Sequence, residues 1–178
     1  MLVPRRTAPS LVVDTVNHGS FDLASQRPGR MTLIYFYRGL HCRICAAYLE
    51  ELERLTPQFA ERGVTTIAIS SDSKARARGT QKKIEANHLR IGYGLPLTEA
   101  RKWGLFISTS RGKSSIGIEE LEIFFESGVF LVRADRTIYY LSVQSLPFVR
   151  PNFKELLHAL DFAIEHDYPA RGEYVGVA

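Results

Sequence analysis

Apolar residues in this chain come in short dense runs separated by polar stretches. The run Met31 to Tyr37 is almost wholly apolar, β-branched or aromatic, and predicts a strand covered on both faces. Within it Tyr35 and Tyr37 alternate with Phe36, so they point to the opposite side of the sheet from it. Val64 to Ser70 predicts a second buried strand. Between them, residues 46–55 carry apolar positions at helical spacing, and the helix should reach Ala60 with Pro57 inside it. Arg62-Gly63 then ends it. Ser71-Asp72-Ser73 is a helix-start cluster, and a polar helix should follow to about Asn87. Val129–Arg133 and Thr137–Leu141 flank Ala134-Asp135-Arg136 as an antiparallel hairpin. Pro151-Asn152-Phe153 opens a last helix to about Glu165, with Leu156, Leu157, Leu160 and Ile164 on one face.

Ahead of these elements, Leu11 to Val13 and Phe21 to Leu23 surround His18-Gly19-Ser20 as a small hairpin, and residues 26–30 form a turn. The pattern is weakest from Gly92 to Gly128. There a short helix, Glu99 to Trp103, follows Pro96, and a glycine- and serine-rich loop runs from Ser108 to Gly117. Trp103 reads as a core residue. Strand, helix, strand, helix, hairpin, helix is a βαβ unit followed by ββα, the order of the thioredoxin fold. The expected class is therefore α/β: a thioredoxin-like central mixed sheet flanked by helices, with an N-terminal β-hairpin extension and a middle insertion. At 178 residues the chain fits one domain, 1–178.

Composition narrows the function classes. Apolar residues make up 45% and charged residues 24%, ordinary values for a globular protein. A net charge of +4 from 23 basic and 19 acidic residues is too small to argue for nucleic acid, and no nucleic-acid motif accompanies it. No stretch has the length of a membrane span. The N-terminus lacks the apolar run of a signal peptide, so a cytoplasmic location is expected. Lys74, Arg78 and Lys82 fall on one face of the polar helix, which reads as solvated surface.

The only two cysteines are Cys42 and Cys45, placed where the first strand turns into the first helix. Dithiol–disulfide oxidoreductases use this arrangement. His41 with the two cysteines would supply three zinc ligands where a structural site needs four, and His18, His88, His158 and His166 are scattered, so no metal is expected. Haem attachment needs a histidine after the second cysteine, and Ala46 stands there.

Residues 36–45, with Arg38, His41, Cys42 and Cys45, resemble the active-site segment of the peroxiredoxin-like branch of the AhpC/TSA superfamily. Residues 70–72, 100–105, 130–135, 147–151 and 167–173 are similar to its later segments, so the resemblance covers nearly the whole chain. It implies a thiol peroxidase with no metal or flavin of its own. Its substrate would be a peroxide or a disulfide, its electrons would come from a thioredoxin-like or small-thiol donor, and it suggests a homodimer.

The nucleophile in such chemistry is a thiolate. Free N–H groups and the dipole at a helix N-terminus stabilise it, and Arg38, His41 and Arg43 stand beside it. A second thiol three residues on can capture a sulfenic acid as a Cys42–Cys45 disulfide. Which sulfur attacks stays open. The thioredoxin pattern exposes Cys42 and buries Cys45. The peroxiredoxin pattern Pro-x-x-x-Thr-x-x-Cys instead puts Arg38 at its proline, Cys42 at its threonine and Cys45 at its peroxidatic cysteine. Exposure favours Cys42. Before Val129, where thioredoxins have a cis-proline and peroxiredoxins have an arginine nearby, this chain has Glu126-Ser127-Gly128. Arg150 is either a substitute activating arginine or a surface residue at the start of the last helix. Two further readings stand beside the peroxidase: a thioredoxin-like disulfide reductase, and a redox-switched binding module.

Overall fold

The computed structural model describes residues 2–177. Strand β3 (Met31–Phe36) lies at the centre, buried at every position. It pairs in parallel with β4 (Val64–Ile69) and antiparallel with β8 (Gly128–Arg133). With the N-terminal hairpin β1 (Val12–Thr15) and β2 (Ser20–Asp22), β5 (Arg90–Tyr93) and β9 (Ile138–Val143), the sheet runs β2-β1-β5-β4-β3-β8-β9. A two-residue register makes β3 the floor of both cores, because its side chains alternate between faces. Leu33, Tyr35 and Tyr37 meet helices α1 (Arg43–Glu61) and α4 (Phe153–Glu165) on one side, joined by Ala77 and Ile84 from the α2 (Lys74–Lys83) region. Ile34 and Phe36 meet Trp103, Phe125 and Phe130 on the other, beside helix α3 (Leu97–Lys102). Trp103 is fully buried, its ring 5.2 Å from Phe36 and 5.0 Å from Phe130.

The helices start where side chains satisfy free backbone donors. Ser73 caps α2, and Asn152 caps α4 by accepting from the Lys154 and Glu155 amides at 2.8 and 3.2 Å. Helix α1 passes through Pro57 without interruption. No helix among the described residues is long and apolar enough to cross a membrane.

Three expectations need correction. Helix α2 ends at Lys83, not Asn87, because Glu85 takes a positive φ of 51° and the chain is then pulled extended. The carboxylate of Glu53, 8% exposed on α1, accepts the Asn87, His88 and Leu89 amides at 3.0, 3.0 and 2.7 Å. That buried acceptor replaces the helical hydrogen bonds those amides would otherwise make. The middle segment also holds more strand than its pattern suggests. Strand β5 fits between β4 and β1, and β6 (Ile107–Thr109) pairs with β7 (Ile123–Phe125) as a separate two-stranded sheet. Helix α3 begins two residues earlier than expected, with Pro96 at its N-cap.

Candidate functional site

Beyond β3 the chain must reverse sharply to start α1, and Asp72 fixes how it does so. This carboxylate is wholly buried; it accepts the Leu40 amide at 2.7 Å and the Arg76 Nε at 2.6 Å. Arg76 also reaches the Glu119 carbonyl at 3.0 Å, tying the reversal to the middle insertion. Gly39 takes a φ of 130°, and a Cβ there would lie 2.9 Å from Asp72 Oδ2, so both the turn and the close approach require glycine. Asp72 sits in the helix-start cluster, but Ser73 does the capping and Asp72 holds the loop.

The reversal delivers Cys42 to the N-cap of α1, where its Sγ accepts the Cys45 amide at 3.2 Å. Cys42 and Cys45 are joined as a disulfide, with Cα atoms 5.2 Å apart. The expected exposure of Cys42 does not hold: it is 4% exposed and Cys45 is 0%. The cover comes from outside the motif, from the β6–β7 unit and the loop carrying Pro147 and Phe148. These line a cavity of about 590 Å³ that reaches Cys42 but not Cys45.

Arg150 lies against the sulfurs. Its Nη2 is 3.3 Å from Cys45 Sγ and 3.8 Å from Cys42 Sγ. Nη1 donates to the Tyr35 hydroxyl at 2.6 Å and Nε to the Pro147 carbonyl at 3.1 Å. Its guanidinium also stands 5.5 Å over the Tyr48 ring, which stacks on Phe153 and donates to the Pro151 carbonyl. Burial pushes the Tyr35 hydroxyl up to about 12, against the opposing pull of Arg150, so it stays neutral. The guanidinium is thus held on three sides with its fourth turned to sulfur.

Arg38 is placed differently. Its Nη1 is 3.8 Å from Cys42 Sγ, but its Nε is 3.1 Å from Glu126 and its Nη2 3.8 Å from Glu120. Much of its charge is therefore balanced by carboxylates. His41 is 1% exposed, with its ring 4.8 Å from Phe124, its Nε2 4.0 Å from Glu120, and neither nitrogen hydrogen-bonded. Burial, reinforced by Arg38, holds its pKa down to about 4, so the ring is neutral near pH 7.

That shift has a sign. Folded His41 binds a proton less readily than the unfolded chain, whose imidazole titrates near 6.5. Its contribution to stability is complete above pH 6.5 and is lost as pH falls toward 4. His41→Phe keeps the packing on Phe124 and removes the titration. Thermal melts from pH 7 to 4.5 should therefore show a smaller loss of Tm in the variant than in the parent. Parallel losses would mean that His41 is not the group being protonated.

Arg38, His41, Cys42, Cys45 and Arg150 thus come together at one end of α1. The partners that sequence reading missed are Glu120, Glu126, Phe124, Tyr35 and Asp72. Glu126 stands in the segment before Val129 that lacks both proline and arginine, and that acid was the available signal.

A model of the AhpC/TSA family matches residues 4–140. No curated protein matches the chain in sequence. Reduced 2-Cys peroxiredoxin of Plasmodium vivax superposes with a TM-score of 0.75 at 17% identity, over 94% of this chain and 84% of that one. Mycobacterium tuberculosis AhpC gives 0.72 at 14%, covering 94% and 96%. Peroxidoxin BcpB from Mycobacterium tuberculosis gives 0.70 at 14%, covering 91% and 98%. These likenesses establish the thioredoxin-like fold of peroxiredoxins, N-terminal hairpin included.

Proposed function

This chain belongs to the AhpC/TSA family, and from that premise we propose that it reduces peroxides through Cys42 and Cys45, which cycle between dithiol and disulfide. The observation that carries the reading is the Arg150 guanidinium within 3.3 and 3.8 Å of the two sulfurs at the start of α1. A cation held there stabilises a thiolate on either atom.

The Cys42 thiolate attacks one peroxide oxygen. A sulfur–oxygen bond forms, the oxygen–oxygen bond breaks, and the leaving oxygen takes up a proton as water or an alcohol. Cys42 is then a sulfenic acid. The Cys45 thiolate attacks Cys42 Sγ, the hydroxyl departs as water, and the disulfide forms. An external thiol donor returns two electrons and two protons. Cys42 is the attacker in this scheme because Cys42, and not Cys45, lines the cavity. Three donors also converge on it: the Cys45 amide at 3.2 Å, and Arg38 and Arg150 at 3.8 Å each. When Cys42 is oxidised, the same guanidinium is nearer to Cys45 and supports its thiolate.

The test is peroxide consumption with hydrogen peroxide and an organic hydroperoxide, each with a thiol reductant. Turnover with at least one is expected, and none with either overturns the peroxidase reading. A second reading has its own observation, a sulfur at the N-cap where the peroxiredoxin pattern has threonine. Reduction of protein disulfides without peroxide turnover would make the chain a disulfide reductase.

A further inference from the structure

The conformation described is the oxidised one, with Cys42 bonded to Cys45. What must reach the sulfurs in this state is the reductant. Both sulfur-bearing residues are more than nine-tenths buried, and the cavity of about 590 Å³ gives an approach to Cys42. Opening the disulfide needs a thiolate in line with the S–S bond. A folded dithiol protein would have to thread its sulfur through this recess. A small molecule would simply enter it, since the volume falls within the range of about 300–1,000 Å³ that encloses compact ligands.

The walls state what kind of small molecule fits. Arg43, Arg111 and Lys113 line the cavity, are exposed to solvent, and have no ion-pair partner among the described residues. Of the two carboxylates that share the lining, Glu126 faces Arg38 at 3.1 Å and accepts the Ser108 hydroxyl. Glu120 accepts the Arg111 backbone amide at 2.7 Å with its other oxygen 3.8 Å from Arg38, so neither pairs with an Arg111 or Lys113 side chain. Deeper in, His41 is buried with both ring nitrogens free, and Ser114 Oγ is buried without a partner. Unsatisfied buried polar atoms are uncommon, and a bound polar ligand would satisfy these. Arg111, Lys113 and Ser114 all come from the glycine- and serine-rich loop of the middle insertion.

We infer that the cavity is the binding site of the electron donor, and that the donor is a small thiol carrying carboxylates, a peptide thiol of glutathione's size and charge. This rests on the reading of Cys42–Cys45 as the working disulfide but not on peroxide as its oxidant. The donor's thiolate attacks Cys42 Sγ, forming a mixed disulfide as the Cys42–Cys45 bond breaks. Cys45 leaves as a thiolate beside Arg150, which makes it the better leaving group. A second donor thiolate attacks the donor sulfur of the mixed disulfide and releases Cys42. Two donor thiols become one donor disulfide, and the protein regains its dithiol.

The experiment uses the full chain oxidised with diamide and no peroxide. Its reduction is followed with glutathione, 2-mercaptoethanol and cysteamine, each rate divided by that thiol's rate on a free small disulfide. Two exposed charge contacts multiply a rate by about fivefold. Normalised rates should therefore fall in the order glutathione, 2-mercaptoethanol, cysteamine, and the spread should shrink at 0.5 M salt. Arg111→Glu with Lys113→Glu should invert the order, favouring cationic cysteamine. Equal normalised rates, an order unmoved by the double charge reversal, or far faster reduction by thioredoxin at equal concentration would each overturn the inference. A protein that shows the glutathione preference but consumes no peroxide would keep this inference and lose the peroxidase reading.

Discussion

Cys42→Ser should abolish peroxide turnover, lowering it by about a thousandfold or more, while Cys45→Ser, with no thiol donor added, should consume one equivalent of peroxide and then stop. The difference follows from access. Only Cys42 lines the cavity, and its sulfur collects the Cys45 amide and two guanidinium groups. A hydroxyl in its place is not ionised near neutral pH and is far the weaker nucleophile. In Cys45→Ser the attack proceeds, but without added donor no thiol remains to resolve the sulfenic acid, which accumulates on Cys42. Dimedone labelling and intact mass after one equivalent of peroxide read this directly. The register of the peroxiredoxin pattern makes the opposite forecast, since it puts Cys45 at the peroxidatic position. A dimedone adduct on Cys45 in the Cys42→Ser variant would establish that register and reverse the two roles.

The elements that a reader of the sequence can find are those whose burial is written locally. Strands β3, β4 and β8 are dense apolar runs, and α4 carries its stripe at helical spacing, so each reports its own environment. Strand β5 does not: Arg90 to Tyr93 is four residues with a glycine, extended because Glu53 takes the preceding amides and because β4 and β1 flank it. Strands β6 and β7 are three residues each and exist only as a pair. The site divides the same way. A Cys-x-x-Cys at a strand–helix junction is local, and both its position and its chemistry are legible. Its depth is not, because the cover comes from residues 108–124 and 146–148. Arg150 illustrates the limit. It lies 105 residues from Cys45, and nothing in its neighbourhood of prolines distinguishes a thiolate partner from a solvated cap.

The two arginines at the sulfurs are not equivalent. Arg38 faces Glu126 and Glu120, so its field at Cys42 is largely offset by their negative charge. Arg150 has no carboxylate partner among the described residues; its fixed contacts are neutral, the Tyr35 hydroxyl and the Pro147 carbonyl. The Tyr35 hydroxyl, pushed up by burial, supplies no countercharge. A full positive charge is thus left to the sulfurs, and the more effective cation is Arg150, just ahead of α4, and not Arg38, four residues ahead of Cys42.

Arg150→Met should therefore lower the rate of peroxide reduction at pH 7 by about 10- to 100-fold. A charge-assisted hydrogen bond contributes about 1.5–3 kcal/mol, which corresponds to a thiol pKa rise of about 1–2 units. The methionine retains apolar contact with Tyr48, so far-UV circular dichroism should stay native. Arg150→Lys should fall between the two, because an ammonium keeps the charge but cannot reach Tyr35 and both sulfurs as a fork does. The shift is best read by alkylation rate against pH in the Cys45→Ser background, where Cys42 is the only thiol. Arg38→Met in the same background should move that pKa less, its charge being already balanced. If the Cys42 pKa moves with Arg38 and not with Arg150, the carboxylates do not offset Arg38, and the thiolate is held from the turn that precedes α1.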